Sequence, residues 1–217
     1  MRVVLIGPPG AGKGTQAAVI KEKLGIAHVS TGDILRDNVI KKTEIGLEAE
    51  SFMESGRLVP DGLMIGMIKA RLAESDAASG GFILDGFPRT LHQAEALDRL
   101  LEEMSLSLDA VLLLAVPDDE VVKRLCNRRV CPSCGAIYNV IACPAKAEGI
   151  CDACGGRIIQ RDDDREPVIR NRLAVYRERT SPVLDYYEKR GLLHTVDALE
   201  ATDAAMRMLE SIEGTKA

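Results

Sequence analysis

The chain opens on residues 2–6 (RVVLI), apolar without a break after Arg2, whose β-branched content suits a strand buried on both faces of a parallel sheet. A glycine-rich loop follows, and residues 15–24 then have the composition of a helix. The alternation repeats: residues 81–84 predict a strand and 91–104 a helix, 110–116 a strand and 118–128 a helix, 192–196 a strand and 202–212 a helix. Residues 28–30 add one more short strand. Strands alternating with helices pair in parallel through right-handed crossovers. The pattern therefore predicts an α/β fold, a doubly wound parallel sheet with helices on both faces. Ligands in such folds sit beyond the carboxyl ends of the strands.

Two stretches break the pattern. Residues 30–59 are polar and helical in character, with Gly32, Gly46 and Gly56 spaced through them. Residues 127–164 are rich in Cys, Gly and Arg and read as a small separate unit. At 217 residues the chain is long for one domain and short for two, which suits one core carrying insertions. Charge is uneven: residues 121–172 hold ten Lys and Arg against six Asp and Glu, while the whole chain has a net charge of −5. An acidic chain with 3% aromatic residues and no Trp lacks the stacking platforms and basic face of a nucleic-acid binder. No apolar run approaches the roughly 20 residues a bilayer span needs, and the glycine loop comes too early for a signal peptide. The expected compartment is the cytoplasm, and the expected partners are small molecules, with neither nucleic acid nor membrane.

The loop after the first strand, residues 7–15 (GPPGAGKGT), carries the strongest chemical signal. Glycines let backbone N–H groups point inward around a triphosphate, and the following helix N-terminus adds partial positive charge. Lys13 supplies a point charge to the β- and γ-phosphates, and a nearby hydroxyl reaches Mg2+. One position departs from the general pattern G-x-x-x-x-G-K-[ST]: Gly14 follows Lys13, and the hydroxyl arrives one residue later as Thr15. That departure resembles the P-loop of the nucleoside monophosphate kinases. A second segment, residues 82–90 (FILDGFPRT), sets Asp85 at the end of an apolar strand, at the sheet edge where Mg2+ would sit. Gly86 frees the backbone, Pro88 stiffens the loop, and Arg89 is suited to fork onto a phosphate.

Taken in order, GPPGAGKGT, STGDILR (30–36), RLVP (57–60), DGFPRT (85–90) and the cysteine-bearing stretch resemble the adenylate kinases, in their bacterial form with a long lid and a four-cysteine zinc site. The resemblance covers almost the whole chain. It implies a transferase that catalyses ATP + AMP = 2 ADP reversibly and maintains adenine nucleotide balance. It implies a P-loop core at 1–29, 60–126 and 165–217, an AMP-binding domain at 30–59 and a mobile lid at 127–164. Gly10, Ala11, Gly12, Lys13, Gly14 and Thr15 would hold the ATP phosphates, and Arg124, Arg128, Ile137, Tyr138 and the main chain of Glu200 would also meet ATP. Thr31, Arg36, Arg57, Leu58, Val59, Gly86, Phe87, Pro88, Arg89 and Gln93 would form the AMP site, shared with Arg161 and Arg172, which clamp the transferring phosphates. Gln93 would read the adenine edge with its amide, and Asp85 would meet Mg2+ through water. The family usually has Gly after the Asp of VDALEA (196–201) and often a Lys two residues on; here stand Ala198 and Glu200. The AMP phosphate is already an anionic nucleophile, so catalysis is positioning and charge neutralisation. The resemblance gives that task to Lys13, Arg36, Arg89, Arg128, Arg161 and Arg172.

Cys131-x2-Cys134 and Cys151-x2-Cys154, separated by sixteen residues, have the spacing of a four-thiolate zinc site. Four protein ligands complete the shell, so the expected ion is structural. Cys126 and Cys143 lack a partner at that spacing and are expected as plain thiols, Cys126 buried as a small hydrophobe. His28, His92 and His194 fall at no catalytic spacing and are expected to be structural or solvated. Two other readings remain open on the sequence. One is a kinase of UMP, CMP or GMP, against which stand Gln93 and the long insert. The other is a zinc-ribbon nucleic-acid binder with a P-loop switch, against which stand DGFPRT and the arginines on both lid arms. Nothing calls for more than a monomer.

Overall fold

The computed structural model of the chain describes residues 1–199 and 203–215. Its strands, among the described residues, are β1 (Arg2–Ile6), β2 (Ala27–Ser30), β3 (Phe82–Asp85), β4 (Ala110–Ala115), β5 (Arg128–Val130), β6 (Ile137–Asn139) and β7 (Leu193–Asp197). Five of them form one all-parallel sheet in the order β2-β3-β1-β4-β7. The helix predicted over 118–128 stops at Cys126: β5 takes Arg128, which pairs opposite Asn139 of β6 in a separate antiparallel hairpin.

β1 lies at the centre because both of its faces are apolar. Val4 and Ile6 join Val29, Phe82, Leu84 and Val111 on one face, and Val3 and Leu5 join Ile83, Leu112, Leu114 and Val196 on the other. Burying each such side chain contributes about 1.5–3 kcal/mol. The first face is covered by α4 (Asp61–Leu72), α6 (Leu91–Glu103) and α9 (Ser181–Glu188), through residues such as Ile68, Leu97 and Tyr187. The second is covered by α1 (Lys13–Leu24) and α10 (Ala204–Thr215), through Ile20, Met206 and Leu209. The sheet is thus doubly wound, as the alternation predicted.

Between β2 and α4 the chain is helical, as α2 (Thr31–Ile40) and α3 (Glu44–Ser55), and α5 (Ser75–Gly80) precedes β3. After β4 comes α7 (Asp118–Cys126), and after the hairpin α8 (Glu166–Val175), joined to α9 by a π-helical turn at Tyr176–Thr180. Side-chain caps start three of these helices. Ser30 Oγ accepts from Asp33 N–H at 3.3 Å, Thr43 Oγ1 from Gly46 N–H at 3.1 Å and Thr90 Oγ1 from Gln93 N–H at 3.1 Å. α1 differs: it begins two residues earlier than predicted, at Lys13 after Gly12, with no side-chain cap and no acidic residue in its first turn. Its positive end faces the loop that precedes it.

Candidate active site

A cleft of about 820 Å3 opens beyond the carboxyl ends of β1 and β3. It is lined by residues of the loop 7–15, of α2, of the turns at 56–59 and 85–89, of α7 and the β5-β6 hairpin, and of α8. Eight Lys and Arg side chains face four Asp and Glu across it. The arrangement attracts anions.

The loop 7–15 wraps one end. Gly10 has φ of 77°, and a Cβ there would lie 2.8 Å from Leu125 Cγ, so only glycine lets the loop rest on α7. Lys13 Nζ folds back and donates to the carbonyls of Gly7 and Pro8, both at 2.9 Å. Burial lowers its pKa to about 8, with Asp85 pulling the other way and Arg89, Arg172 and Arg128 adding repulsion. Asp85 ends β3 beside the same loop; a Cβ on Gly14 would sit 3.8 Å from its Oδ2. His28 Nε2 lies 3.7 Å from that carboxylate, so this histidine, although at no spacing that suggested it, borders the site.

Arginines fill the middle. Arg89 is lowered to about 10 by burial first and then by Arg172, and its Nε donates to the Gly86 carbonyl at 2.8 Å. Arg161 is also lowered to about 10, by burial and then by Arg36 and Arg128. Arg172 is lowered by burial first; its Nη1 lies 3.0 Å from Asp163 Oδ2. Arg128 forks onto Asp164 at 2.7 and 2.6 Å, and Asp164 is 0% exposed. Arg36 meets Asp33 at 2.6 Å. Charges of one sign are held together here with fewer counter-charges than they need, a state that an incoming polyanion relieves.

The far end is built around Thr31, Gly86, Arg57 and Gln93. Gly86 has φ of 85°, and a Cβ there would lie 2.5 Å from Thr31 Oγ1 and 3.0 Å from Arg89 Nη2. Thr31 Oγ1 donates to the Asp85 carbonyl at 3.2 Å. Arg57 stacks over Phe52 at 4.8 Å and donates to Ser55 Oγ at 2.9 Å, and with Leu58 and Val59 it forms one wall. Gln93 closes the floor, 2% exposed.

A family model described as adenylate kinase matches residues 5–192. The chain belongs to the adenylate kinase family. It is 52% identical over 217 residues to an adenylate kinase of Streptomyces griseus, covering 99% of each chain. It is 50% identical over 212 residues to one of Archaeoglobus fulgidus (98% of this chain, 97% of the other) and 54% identical over 203 residues to one of Thermodesulfovibrio yellowstonii (94% of each). The enzyme is accordingly a phosphotransferase of the nucleoside monophosphate kinase type.

In this adenylate kinase family member, nearly all residues expected on the ATP and AMP sides line one cleft. Phe87 is the exception in its segment: its ring is 1% exposed within the core. Arg124 reaches the carbonyls of Ala198 at 3.4 Å and Leu199 at 3.2 Å while Glu120 holds its Nε at 2.8 Å. Glu200 lies outside the described residues. Among described non-glycine residues only Lys42 and Ser105 have positive φ, so the backbone at Ala198 does not need the glycine usual there. Ile137 is 57% exposed, whereas Tyr138 is buried. The sequence reading missed Asp61, Glu120, Asp163 and Asp164, which hold Gln93, Arg124, Arg172 and Arg128. The run of three aspartates after Arg161, and the four-residue spacing of Glu120 and Arg124 on a predicted helix, gave the local signs of them.

Cys131, Cys134, Cys151 and Cys154 bring their sulfurs within 4.8 Å of one another, placed to bind a metal ion. Two of the separations are 3.5 Å; a tetrahedral ion with bonds of about 2.3 Å sets its sulfurs roughly 3.8 Å apart, so the donor set fits. Each pair sits on a matching turn, Gly135 N–H donating to the Cys131 carbonyl at 2.9 Å and Gly155 N–H to the Cys151 carbonyl at 2.8 Å. Tyr138 Oη accepts from Asp152 N–H at 2.8 Å and lies 3.3 Å from Cys151 Sγ, a hydrogen bond that lowers this thiol to about 6. Cys143 is exposed and outside the group, and Cys126 is half-buried against the small core of α7 and α8.

Proposed function

We propose that this enzyme transfers the γ-phosphoryl group of ATP to AMP, reversibly, giving two ADP. What supports the reading is the single cleft that carries the P-loop at one end and Thr31, Gly86 and Gln93 at the other, with arginines between. Gly10 to Thr15 and Lys13 hold the donor phosphates, while Arg124, Arg128, Ile137, Tyr138 and Leu199 bound the space for the donor base. Arg36 and Arg89 hold the acceptor phosphate, and Arg161 and Arg172 bridge the two. No general base is required of this chain, because the acceptor oxygen is already anionic; its residues align the reacting groups and offset charge that builds on the transferring phosphoryl. Asp85, through water, and Thr15 would hold Mg2+, which when bound with ATP would neutralise the β- and γ-phosphates. The four cysteines would hold Zn2+, which supplies folding free energy to residues 127–164 and leaves no open coordination position for chemistry. Residues 127–164 act as a lid and 30–59 as the AMP-binding unit. The test is a comparison of acceptors with ATP and Mg2+ saturating. AMP is expected to exceed CMP, UMP and GMP in kcat/KM by roughly a hundredfold or more; a preference for any of the others sinks the assignment.

A further inference from the structure

Gln93 is gripped from two sides by groups of opposite, fixed polarity. Its Oε1 accepts from the Arg89 N–H at 2.8 Å, and its Nε2 donates to Asp61 Oδ1 at 2.7 Å. A backbone N–H can only donate and an ionised carboxylate can only accept. Turning the amide over would press its NH2 against an N–H and its carbonyl against a carboxylate. Asp61 is held in turn: Thr90 Oγ1 donates to its Oδ2 at 2.8 Å, and His92 Nδ1 lies 3.2 Å from the same oxygen. Gln93 therefore keeps one N–H and one lone pair for the cleft, in an order that Asp61 and the backbone have already chosen.

We propose that Asp61 is a specificity-determining positioning residue, which sets the polarity with which Gln93 meets the acceptor base. This rests on the reading of that end of the cleft as the acceptor site. Adenine presents an amino donor at C6 beside the N1 acceptor, and the fixed amide answers with an acceptor beside a donor. Hypoxanthine and guanine present an oxygen at C6 beside an N1–H, the reverse order, and meet like against like. Because the discrimination lies in the order of donor and acceptor, two bases of one size are told apart, which a shaped pocket alone does poorly.

IMP is the matched probe, since it differs from AMP only at C6 and N1. Steady-state rates with ATP saturating are measured for AMP and IMP, with KM for ATP and the melting temperature, on the parent, Asp61→Leu and Asp61→Asn. The parent is expected to favour AMP. In Asp61→Leu the AMP-to-IMP ratio of kcat/KM falls by roughly tenfold or more, mainly through a raised KM for AMP, while KM for ATP stays within about twofold. Asp61→Asn keeps an acceptor oxygen but adds a donor, and its ratio falls by about threefold or more. A folded Asp61→Leu enzyme that keeps the parent ratio, or loses AMP and IMP activity equally, overturns the proposal and leaves Asp61 a tie between α4 and α6. Should that variant not fold, Asp61→Asn decides, and an unchanged ratio there overturns it too. Failure of the acceptor-site reading itself would appear earlier, as a parent enzyme that prefers a monophosphate other than AMP.

Discussion

Lys13, Arg89 and Arg161 share one condition: each is charged, withdrawn from water and close to like charge, and each is lowered, to about 8, 10 and 10. For Lys13 the folded value lies below the ordinary 10.5. Between about 8 and 10.5 the unfolded chain binds more protons than the folded one, so this group's contribution to stability rises with pH across that window. A triphosphate beside Lys13 restores its charge. Binding of ATP at pH 9 is therefore expected to take up nearly one proton (~0.9), read by calorimetry in buffers of different ionisation enthalpy, with the uptake absent in Lys13→Met. No uptake in the parent, or equal uptake in the variant, contradicts this account of Lys13. Such residues were legible in the sequence because glycine loops and short motifs announce them. Their holders were not: Asp164 lies 36 residues from Arg128 and Asp61 lies 32 from Gln93. No local spacing marks a carboxylate whose partner is fixed by the fold.

Among the elements, the strands were easiest to read, because a parallel strand covered on both faces is simply an apolar run. α6 was read nearly whole, its buried positions Ala94, Leu97, Leu100 and Leu101 keeping one face. α8 and α9 left little trace: α8 buries only Ile169 and Leu173, and the π turn at Tyr176–Thr180 shifts the period before α9 begins. α4 was hidden by Gly62 and Gly66, although Met64, Ile68 and Leu72 pack inward. The predicted helix to residue 128 ran too far because arginine and asparagine suit a helix as well as a hairpin arm; what decides is the fork of Arg128 onto Asp164. The cysteine hairpin has strands of three residues and a core of Cys131, Tyr138 and Cys151, too little to stand alone. Removing the metal, or Cys131→Ser, should therefore lower the melting temperature by roughly 5 °C or more. Part of the turnover should survive at low temperature with nucleotides saturating. Metal content, melting and turnover are measured on one sample; unchanged melting with abolished turnover would mark the metal as chemical.

For the whole molecule, the cleft joins segments that meet only when the ends of the fold approach. Arg36 helps to lower Arg161 across it, and Asn171 Nδ2 donates to the Ser55 carbonyl at 2.7 Å, tying α8 to α3. Such a site must open and close to exchange nucleotides. Fluorophores at residue 146 of the hairpin region and residue 103 of α6 should approach when a bisubstrate analogue binds, and an unchanged separation rules the hinge out. The strand order has a consequence of another kind, during synthesis. β1 is made first, yet its two neighbours arrive only with residues 82–85 and 110–115. At about 5–20 residues per second this central apolar strand waits on the order of 5–20 seconds with both edges bare, a template for unwanted pairing. Its ends limit that hazard: Arg2 puts a charge at one side, and Pro8-Pro9, without N–H groups, stops any ladder at the other. The loop proposed to grip phosphate in the finished enzyme thus shields the nascent chain beforehand.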